Sequence, residues 1–99
     1  MTRIYLAGPM SGIEAFNYPA FNAEASRLRA LGHHVENPAE TPPQDDWAAY
    51  MRRSIRQMLT CDMVVLLPGW EASRGACIET HLAMDLGIPV RMPDSIGLA

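Results

Sequence analysis

Apolar residues follow two alternating patterns along this chain, short continuous runs and longer stretches with helical spacing. Residues 4–7 and the surroundings of Val35 form short apolar runs, which are typical of strands. Residues 63–67 form an unbroken apolar run, as expected for a strand that is covered on both faces in a parallel sheet. A last short run at residues 89–92 predicts a further strand.

The segments between these runs have the spacing of amphipathic helices. A first helix is predicted over residues 19–31, with Gly32 as its stop signal. A second helix begins after Asp45 or Asp46, either of which can cap it. A third is predicted over residues 75–87. The residues expected on the buried face of the first helix are Phe21, Ala25, Leu28 and Leu31, and those on the second are Trp47, Tyr50, Met51, Ile55, Met58 and Leu59.

The alternation of strands and helices predicts an α/β fold, with a four-stranded parallel sheet between helical layers. Right-handed crossovers make 2-1-3-4 the expected strand order, so the first and third strands become central neighbours. Sheets of this kind bind ligands in the crevice at the carboxyl ends of those strands. Two glycine-containing loops, residues 8–12 and 68–75, flank the expected crevice and allow a ligand to approach their backbone N–H groups.

Composition and charge narrow the class of protein. The chain is 48% hydrophobic and 19% charged, which predicts one globular domain over residues 1–99. The net charge of −3 gives no reason to expect a nucleic-acid polymer or an anionic membrane as a partner. All eight basic residues are arginine, which excludes Schiff-base chemistry on a lysine. The first apolar run is too short for a signal peptide and the two cysteines do not suggest a disulfide framework, so a cytoplasmic location is expected.

Glu79 is the only charged residue on a stripe of small and apolar side chains along the third predicted helix. Residues three, four and seven positions apart share a helix face. A carboxylate that faces a packed surface is costly unless it is paired, hydrogen-bonded or lines a cavity. The stripe therefore indicates either a catalytic carboxylate in the crevice or a glutamate at the helix edge that reaches water. The residues in line with Glu79 are Gly75, Ala76, Leu82, Ala83 and Leu86.

Other polar groups have simpler interpretations. Cys77 and His81 lie four positions apart on one helix, but without a further soft ligand nearby they are better interpreted as a core thiol and a hydrogen-bonded imidazole. No metal site is therefore predicted. His33 and His34 follow a helix stop and are interpreted as a solvated C-terminal cap. The arginines expected on the solvent face of the second helix are Arg52, Arg53 and Arg56.

Two blocks of sequence resemble a known superfamily. The first is Tyr-Leu-Ala-Gly-Pro-Met-Ser-Gly at residues 5–12, and the second is residues 61–76 with Glu79, Ala83 and residues 87–90. Together they resemble the nucleoside 2-deoxyribosyltransferase-like superfamily, and more closely a short, phage-associated branch of unknown function. The opening motif is weak by itself, whereas its combination with Ser-x-Gly-Ala-x-x-Glu is specific. The resemblance covers nearly the whole chain.

The resemblance implies a flavodoxin-like three-layer fold and a glutamate nucleophile at the position of Glu79. Such a nucleophile attacks C1′ of a nucleoside or nucleotide, expels the base and forms a glycosyl ester, which a second base or water then resolves. No cofactor is implied. Tyr5 matches a tyrosine that holds the nucleophile in orientation, although a tyrosine that simply packs a strand against a helix also fits. The residues expected to bind substrate are Gly8, Pro9, Met10, Ser11, Gly12, Gly69, Trp70, Ser73, Arg74 and Gly75.

Two positions depart from the pattern of the superfamily. Ser73 stands six residues before Glu79, where transferases of free nucleosides usually carry an aspartate. Related nucleotide N-glycosidases have serine there, in contact with the 5′-phosphate, so the resemblance points to a 5′-monophosphate substrate. A hydroxyl at a helix N-terminus, with the Gly75 N–H and Arg74, suits a phosphate. An aspartate that assists the departing base would fall near Ser54, so the acid for the leaving group stays unassigned.

Three functions remain open at this point. The first is an N-glycosidase or deoxyribosyltransferase that acts through Glu79, the second a non-catalytic nucleotide-binding module of the same fold, and the third a structural phage accessory protein. A homodimer or higher homo-oligomer is expected, because a small sheet leaves its edges uncovered and proteins of the superfamily assemble. The candidate contact residues are Trp47, Tyr50 and Trp70, of which the first two equally suit the core.

Overall fold

The computed structural model describes residues 2–96, where four parallel strands are flanked by three α-helices. The sheet has the predicted order β2-β1-β3-β4. The strands are β1 (Arg3–Ala7), β2 (His34–Glu36), β3 (Met63–Leu66) and β4 (Val90–Arg91), and the helices are α1 (Tyr18–Ala30), α2 (Trp47–Leu59) and α3 (Arg74–Asp85). Short 3-10 turns lie at Pro38–Glu40, Trp70–Ala72 and Pro93–Ser95, and a turn with left-handed backbone angles lies at Glu14–Asn17. No helix within residues 2–96 is both long enough and apolar enough to cross a membrane.

The two faces of the sheet pack against different helices, because side chains alternate along each strand. Ile4 and Leu6 of β1 point towards α1, whereas Tyr5 and Ala7 point towards α2 and α3. The cluster on the α1 face comprises Ile4, Leu6, Phe21, Ala25, Leu28, Val35, Val65 and Leu67. The cluster on the opposite face comprises Tyr5, Ala7, Met58, Cys61, Val64, Leu66 and Ala83. The predicted three-layer α/β fold is confirmed.

The helices begin and end at residues with clear local causes. The Asp46 carboxylate accepts a hydrogen bond of 2.7 Å from the Ala49 N–H, so Asp46 rather than Asp45 caps α2. The helix α1 ends at Ala30, and Gly32 follows with a φ of 95°. That angle lies in the left-handed region, which glycine adopts without a steric penalty.

Four apolar residues predicted to be buried are instead exposed. All four lie at helix ends: Trp47 and Leu59 are the first and last residues of α2, and Leu31 and Leu86 lie just beyond the ends of α1 and α3. Helical periodicity continues to these positions, but the surface that would bury them does not. They are Leu31, Trp47, Leu59 and Leu86, with relative exposures of 48%, 41%, 50% and 56%.

The histidine prediction is also wrong, since neither imidazole forms a solvated cap. Both His33 and His34 are half-buried, and His34 is already the first residue of β2. Its Nε2 atom lies 2.6 Å from the Glu36 carboxylate. At the end of α1, His33 contributes its backbone N–H and not its side chain. This N–H donates to the Leu28 carbonyl. The expected exposure of the α2 arginines, Arg52, Arg53 and Arg56, is confirmed.

Candidate functional site

A cavity of about 930 Å³ opens at the carboxyl ends of β1 and β3, where the order of the strands reverses. The loop after β1 and the loop after β3 form two of its walls. The first turns of α2 and α3, the end of β1 and the start of α1 contribute further wall residues. The site therefore lies where the doubly wound topology predicts it.

Glu79 lies in the second turn of α3 and lines this cavity. Only 5% of the residue is exposed, so its carboxylate faces inward and does not reach bulk water from the helix edge. Burial raises the pKa of Glu79 to about 7, and a hydrogen bond from Tyr5 partly offsets this rise. The carboxyl group is therefore present in both protonation states near neutral pH.

Tyr5 meets Glu79 because of its position in β1. The alternation along the strand places the ring on the face that packs against α3, and its hydroxyl donates a hydrogen bond of 2.5 Å to Oε2 of Glu79. The residue is 1% exposed. Burial, and then the nearby Glu79 charge, raise the pKa of Tyr5 well above its ordinary value, so the phenol stays a donor.

The start of α3 is fixed by Ser73 and by the close approach of α2. The Ser73 hydroxyl accepts a hydrogen bond of 3.1 Å from the Ala76 N–H and caps the helix. A Cβ atom at Gly75 would lie 3.0 Å from the Met51 sulfur, so glycine allows the two helices to pack this closely. These contacts set the depth at which Glu79 enters the cavity.

The loop after β1 is held by contacts that leave its backbone beside the cavity. A Cβ atom at Gly8 would lie 2.8 Å from the Leu67 Cβ atom, which requires glycine at this position. The Pro9 carbonyl accepts a hydrogen bond of 2.9 Å from the Asn17 side chain. The Tyr50 hydroxyl donates to the Met10 sulfur at 3.2 Å. The loop thus connects β1 to both α1 and α2.

Arg74 is the only basic residue in the cavity wall, as far as residues 2–96 define it. Its guanidinium carbon lies 4.3 Å from the centroid of the Trp47 ring, within the range of a cation–π contact. The acidic residues of the wall are Glu79 and Asp46, and the Asp46 carboxylate already accepts the capping hydrogen bond of α2. The entrance beside α3 therefore carries a positive charge while the floor carries the titrating carboxyl group.

Most residues predicted to bind substrate lie in the wall of this cavity. Gly12 and Trp70 do not. Gly12 is an exposed turn residue with a φ of 81°, and Trp70 is half-buried against the cluster on the α3 face of the sheet. The predicted residues that line the cavity are Gly8, Pro9, Met10, Ser11, Gly69, Ser73, Arg74 and Gly75, together with Tyr5 and Glu79.

Several wall residues were not predicted to bind substrate. The turn at Glu14–Asn17 brings the Asn17 amide and the exposed Phe16 ring to the cavity. Its residues 15–17 all have positive φ although none is glycine, a conformation that no sequence pattern indicates. Further wall residues of this kind include Ile13, Tyr18, Gln44, Asp46, Trp47 and Tyr50.

Ser54, the position that matches the superfamily's aspartate, does not line the cavity. It is 1% exposed, and its hydroxyl oxygen has no hydrogen-bond partner among the described residues that meets ordinary geometry. Burial raises the pKa of both Tyr5 and Tyr50, and the Ser54 hydroxyl opposes part of each rise. Ser54 is therefore a buried neighbour of the site and does not contact a ligand in the cavity.

The residues considered for a metal site lie apart from the cavity. Cys77 is half-buried, and its thiol donates to the Glu71 carbonyl at 3.4 Å. The expectation of a core thiol is therefore wrong, since Cys77 belongs to neither core cluster, and His81 is exposed. Within residues 2–96, no three or more histidine, cysteine, aspartate or glutamate side chains come together as a metal site would require.

Comparison with known proteins identifies a family and a shared fold. Residues 2–92 match the family described as Domain of unknown function (DUF4406). No curated protein sequence matches the chain. A solved 2-deoxyribosyltransferase from Bacillus psychrosaccharolyticus superposes with a TM-score of 0.70 at 20% identity, over 91% of this chain and 70% of that protein. A conserved protein from Enterococcus faecalis V583 superposes with a TM-score of 0.70 at 26% identity, over 93% of this chain and 62% of that protein.

These matches agree with the topology and with the resemblance of the sequence motifs. At 20% identity, the superposition on the 2-deoxyribosyltransferase establishes the fold, while the family match extends over nearly the whole chain. The chain belongs to the DUF4406 family and has the fold of a 2-deoxyribosyltransferase.

Proposed function

We propose that this protein cleaves the N-glycosidic bond of a nucleoside or nucleotide, with Glu79 as the nucleophile and a 5′-monophosphate as the preferred substrate. The observation that carries this proposal is the inward-facing Glu79 carboxyl group, which lies in the wall of a cavity of about 930 Å³ and is oriented by Tyr5. A cavity of this size is suitable for a nucleotide. The fold shared with a 2-deoxyribosyltransferase adds support.

The chemistry requires the ionised form of Glu79. One carboxylate oxygen attacks C1′, the bond between C1′ and the base nitrogen breaks, and the base leaves with the electron pair of that bond. The departing base takes a proton from water. Hydrolysis of the resulting ester releases the sugar, whereas attack by a second base completes a deoxyribosyl transfer. With a pKa of about 7 for Glu79, a large fraction of the protein carries the nucleophile at neutral pH.

Preference for a phosphate is supported by the start of α3. The Ser73 hydroxyl accepts from the Ala76 N–H, and it donates to no partner within residues 2–96. The positive end of the helix and the Arg74 guanidinium both favour an anion at this position. An aspartate in place of Ser73 would repel it. A 5′-phosphate seated here would leave the sugar towards Glu79.

The aromatic part of the cavity wall suits a nucleobase. Aromatic side chains from three segments line it, and planar bases stack on aromatic rings. Met10 and Ile13 add apolar surface. The aromatic residues are Phe16, Tyr18, Trp47 and Tyr50.

One observation favours a second candidate function, a nucleotide-binding module without turnover. Ser54, at the register of the superfamily's aspartate, is buried behind the wall, so no acid is assigned to protonate the leaving base. In this alternative the same residues bind the nucleotide and Glu79 does not react. The predicted homo-oligomer, phage association and cytoplasmic location stay predictions in both cases.

A substrate panel separates the two candidates. Wild type, Glu79→Gln and the control Glu71→Gln, which removes an exposed carboxylate outside the cavity, would be incubated with deoxynucleosides and their 5′-monophosphates. Base release would be followed by chromatography and ligand binding by thermal shift. Release by wild type and Glu71→Gln, but not by Glu79→Gln, supports the enzyme. Stabilisation of all three proteins by a monophosphate without base release supports the binding module.

A further inference from the structure

Ser54 has an unexplained buried hydroxyl beside the proposed nucleophile. The residue is 1% exposed, and no partner among residues 2–96 satisfies its oxygen by ordinary hydrogen-bond geometry. Buried polar groups without a partner are rare in native proteins because they lose their hydration without compensation. A serine that only filled space could be replaced by alanine, so the hydroxyl itself needs a role.

The position of Ser54 on α2 places it between two tyrosines. It lies one helical turn after Tyr50 on the face that packs against β1. Met58, one turn further along the same face of α2, packs in the cluster that contains Tyr5, so this face places the Ser54 side chain towards the Tyr5 ring. The Ser54 hydroxyl also opposes the rise in the pKa of both phenols. Tyr50 has other partners as well, since its hydroxyl can donate to the Met10 sulfur or to the Pro38 carbonyl, each at 3.2 Å.

Tyr5 has an unused acceptor that Ser54 can fill. A phenol carries one hydrogen and two lone pairs, and the hydrogen of Tyr5 is donated to Glu79. Hydrogen bonds in a chain polarise one another, so a donor to the Tyr5 oxygen strengthens the bond from Tyr5 to the carboxylate. The titratable groups that face Glu79 are Tyr5 from β1 and Tyr50 from α2.

We propose that Ser54 is a positioning residue for Glu79, which acts by donating its hydroxyl hydrogen to the Tyr5 oxygen while the carboxylate is ionised. Donation from Ser54 strengthens the bond from Tyr5 to the carboxylate only while Glu79 is ionised, so the serine favours the ionised form and fixes its orientation.

This inference deepens the proposed function, and it can be tested without substrate. The midpoint of the Glu79 titration would be measured by carbon-13 NMR of the side-chain carboxyl groups, with its signal assigned by its loss in Glu79→Gln. We expect Ser54→Ala to raise that midpoint by about 0.3 pH units, because the bond from Tyr5 to the carboxylate loses its cooperative strengthening. The control Thr80→Val removes another buried hydroxyl, which donates to the Ala76 carbonyl, and should leave the midpoint unchanged.

The Tyr5→Phe background tests whether the effect passes through Tyr5. Adding Ser54→Ala to Tyr5→Phe should then produce no further shift, as a double-mutant cycle with full coupling requires. An equal shift in both backgrounds, or none in either, would overturn the proposal. Amide NMR spectra would show that each variant keeps its fold. Because no turnover enters the measurement, a protein that releases no base can still show the coupling, and an active protein can still lack it.

Discussion

The Tyr5 hydroxyl and the Glu79 carboxylate are joined by a hydrogen bond of 2.5 Å, although the two residues lie 74 positions apart in the chain. Both are nearly inaccessible to solvent. The bond connects the central strand β1 to α3 and offsets part of the cost of a buried charge. The remainder of that cost appears as the raised pKa of Glu79. The ionised carboxylate therefore lowers the stability of the folded protein, although it is also the candidate nucleophile.

Glu79→Gln should stabilise the protein at alkaline pH. Below its ordinary pKa of 4.5 Glu79 is protonated in the folded and unfolded states alike, whereas above pH 7 folding must bury an ionised carboxylate. The free energy of unfolding of wild type should therefore fall as the pH rises from about 4.5 to about 7, by on the order of 3 kcal/mol. The neutral glutamine avoids this loss. Urea unfolding at pH 5 and pH 8 measures the difference.

The matched control for this experiment is Glu71→Gln. Glu71 is exposed in the turn before α3, so removing its charge should leave the pH dependence of wild type in place. Wild type and Glu79→Gln with the same pH dependence of stability would contradict a buried, titrating carboxyl group.

Asp46→Ala should destabilise the protein, whereas Asp45→Ala should not. The Asp46 carboxylate accepts a hydrogen bond from the Ala49 N–H at the start of α2, and its loss should cost about 1 kcal/mol in the free energy of unfolding. Asp45 is exposed and carries the same charge, so the pair separates capping from electrostatics. Thermal denaturation of both variants is the measurement. Equal losses would show that charge, and not the cap, is responsible.

The sheet order followed from the sequence because each strand has a distinct pattern and right-handed crossovers leave few arrangements. The unbroken run at residues 63–67 could be assigned to a central strand for this reason. The errors fell at the helix ends. Leu31 and Leu86 continue the apolar period of their helices, yet they lie past the last helical residue and remain exposed. Periodicity reports which side of a helix is apolar, but not how far the covering surface extends.

The sequence allowed two orientations for Glu79, inward to the crevice or outward to water, and the structure has the first. The small residues beside Glu79 on the helix stripe leave room for a cavity at that face. The turn at Glu14–Asn17 could not be predicted in this way. Ala15 and Phe16 have positive φ, which their side chains disfavour, so local preference gives no signal. The hydrogen bond from Asn17 to the Pro9 carbonyl helps to hold the turn, and that contact exists only in the folded chain.

Gly8→Ala should destabilise the protein through a steric clash. The added Cβ atom would lie 2.8 Å from the Leu67 Cβ atom, which cannot move without its backbone, so a loss of about 1–3 kcal/mol is expected. The control is Gly12→Asn. Gly12 has a φ of 81° and open space around it, and asparagine tolerates this region better than other residues. Chemical denaturation would compare the two, and a Gly8→Ala variant as stable as wild type would contradict the close approach of Gly8 and Leu67.

Arg74→Gln should weaken the binding of a 5′-monophosphate by about tenfold, because one charge-assisted hydrogen bond at an exposed site is lost. Binding of the corresponding free deoxynucleoside should change little, since it has no phosphate for the guanidinium to contact. Arg91→Gln is the control, because Arg91 is also exposed and its removal causes the same change in net charge away from the cavity. Calorimetric titration of both ligands into the three proteins measures the effect. Equal weakening of nucleoside and nucleotide by Arg74→Gln, or equal weakening of the nucleotide by both variants, would show that Arg74 does not select for the phosphate.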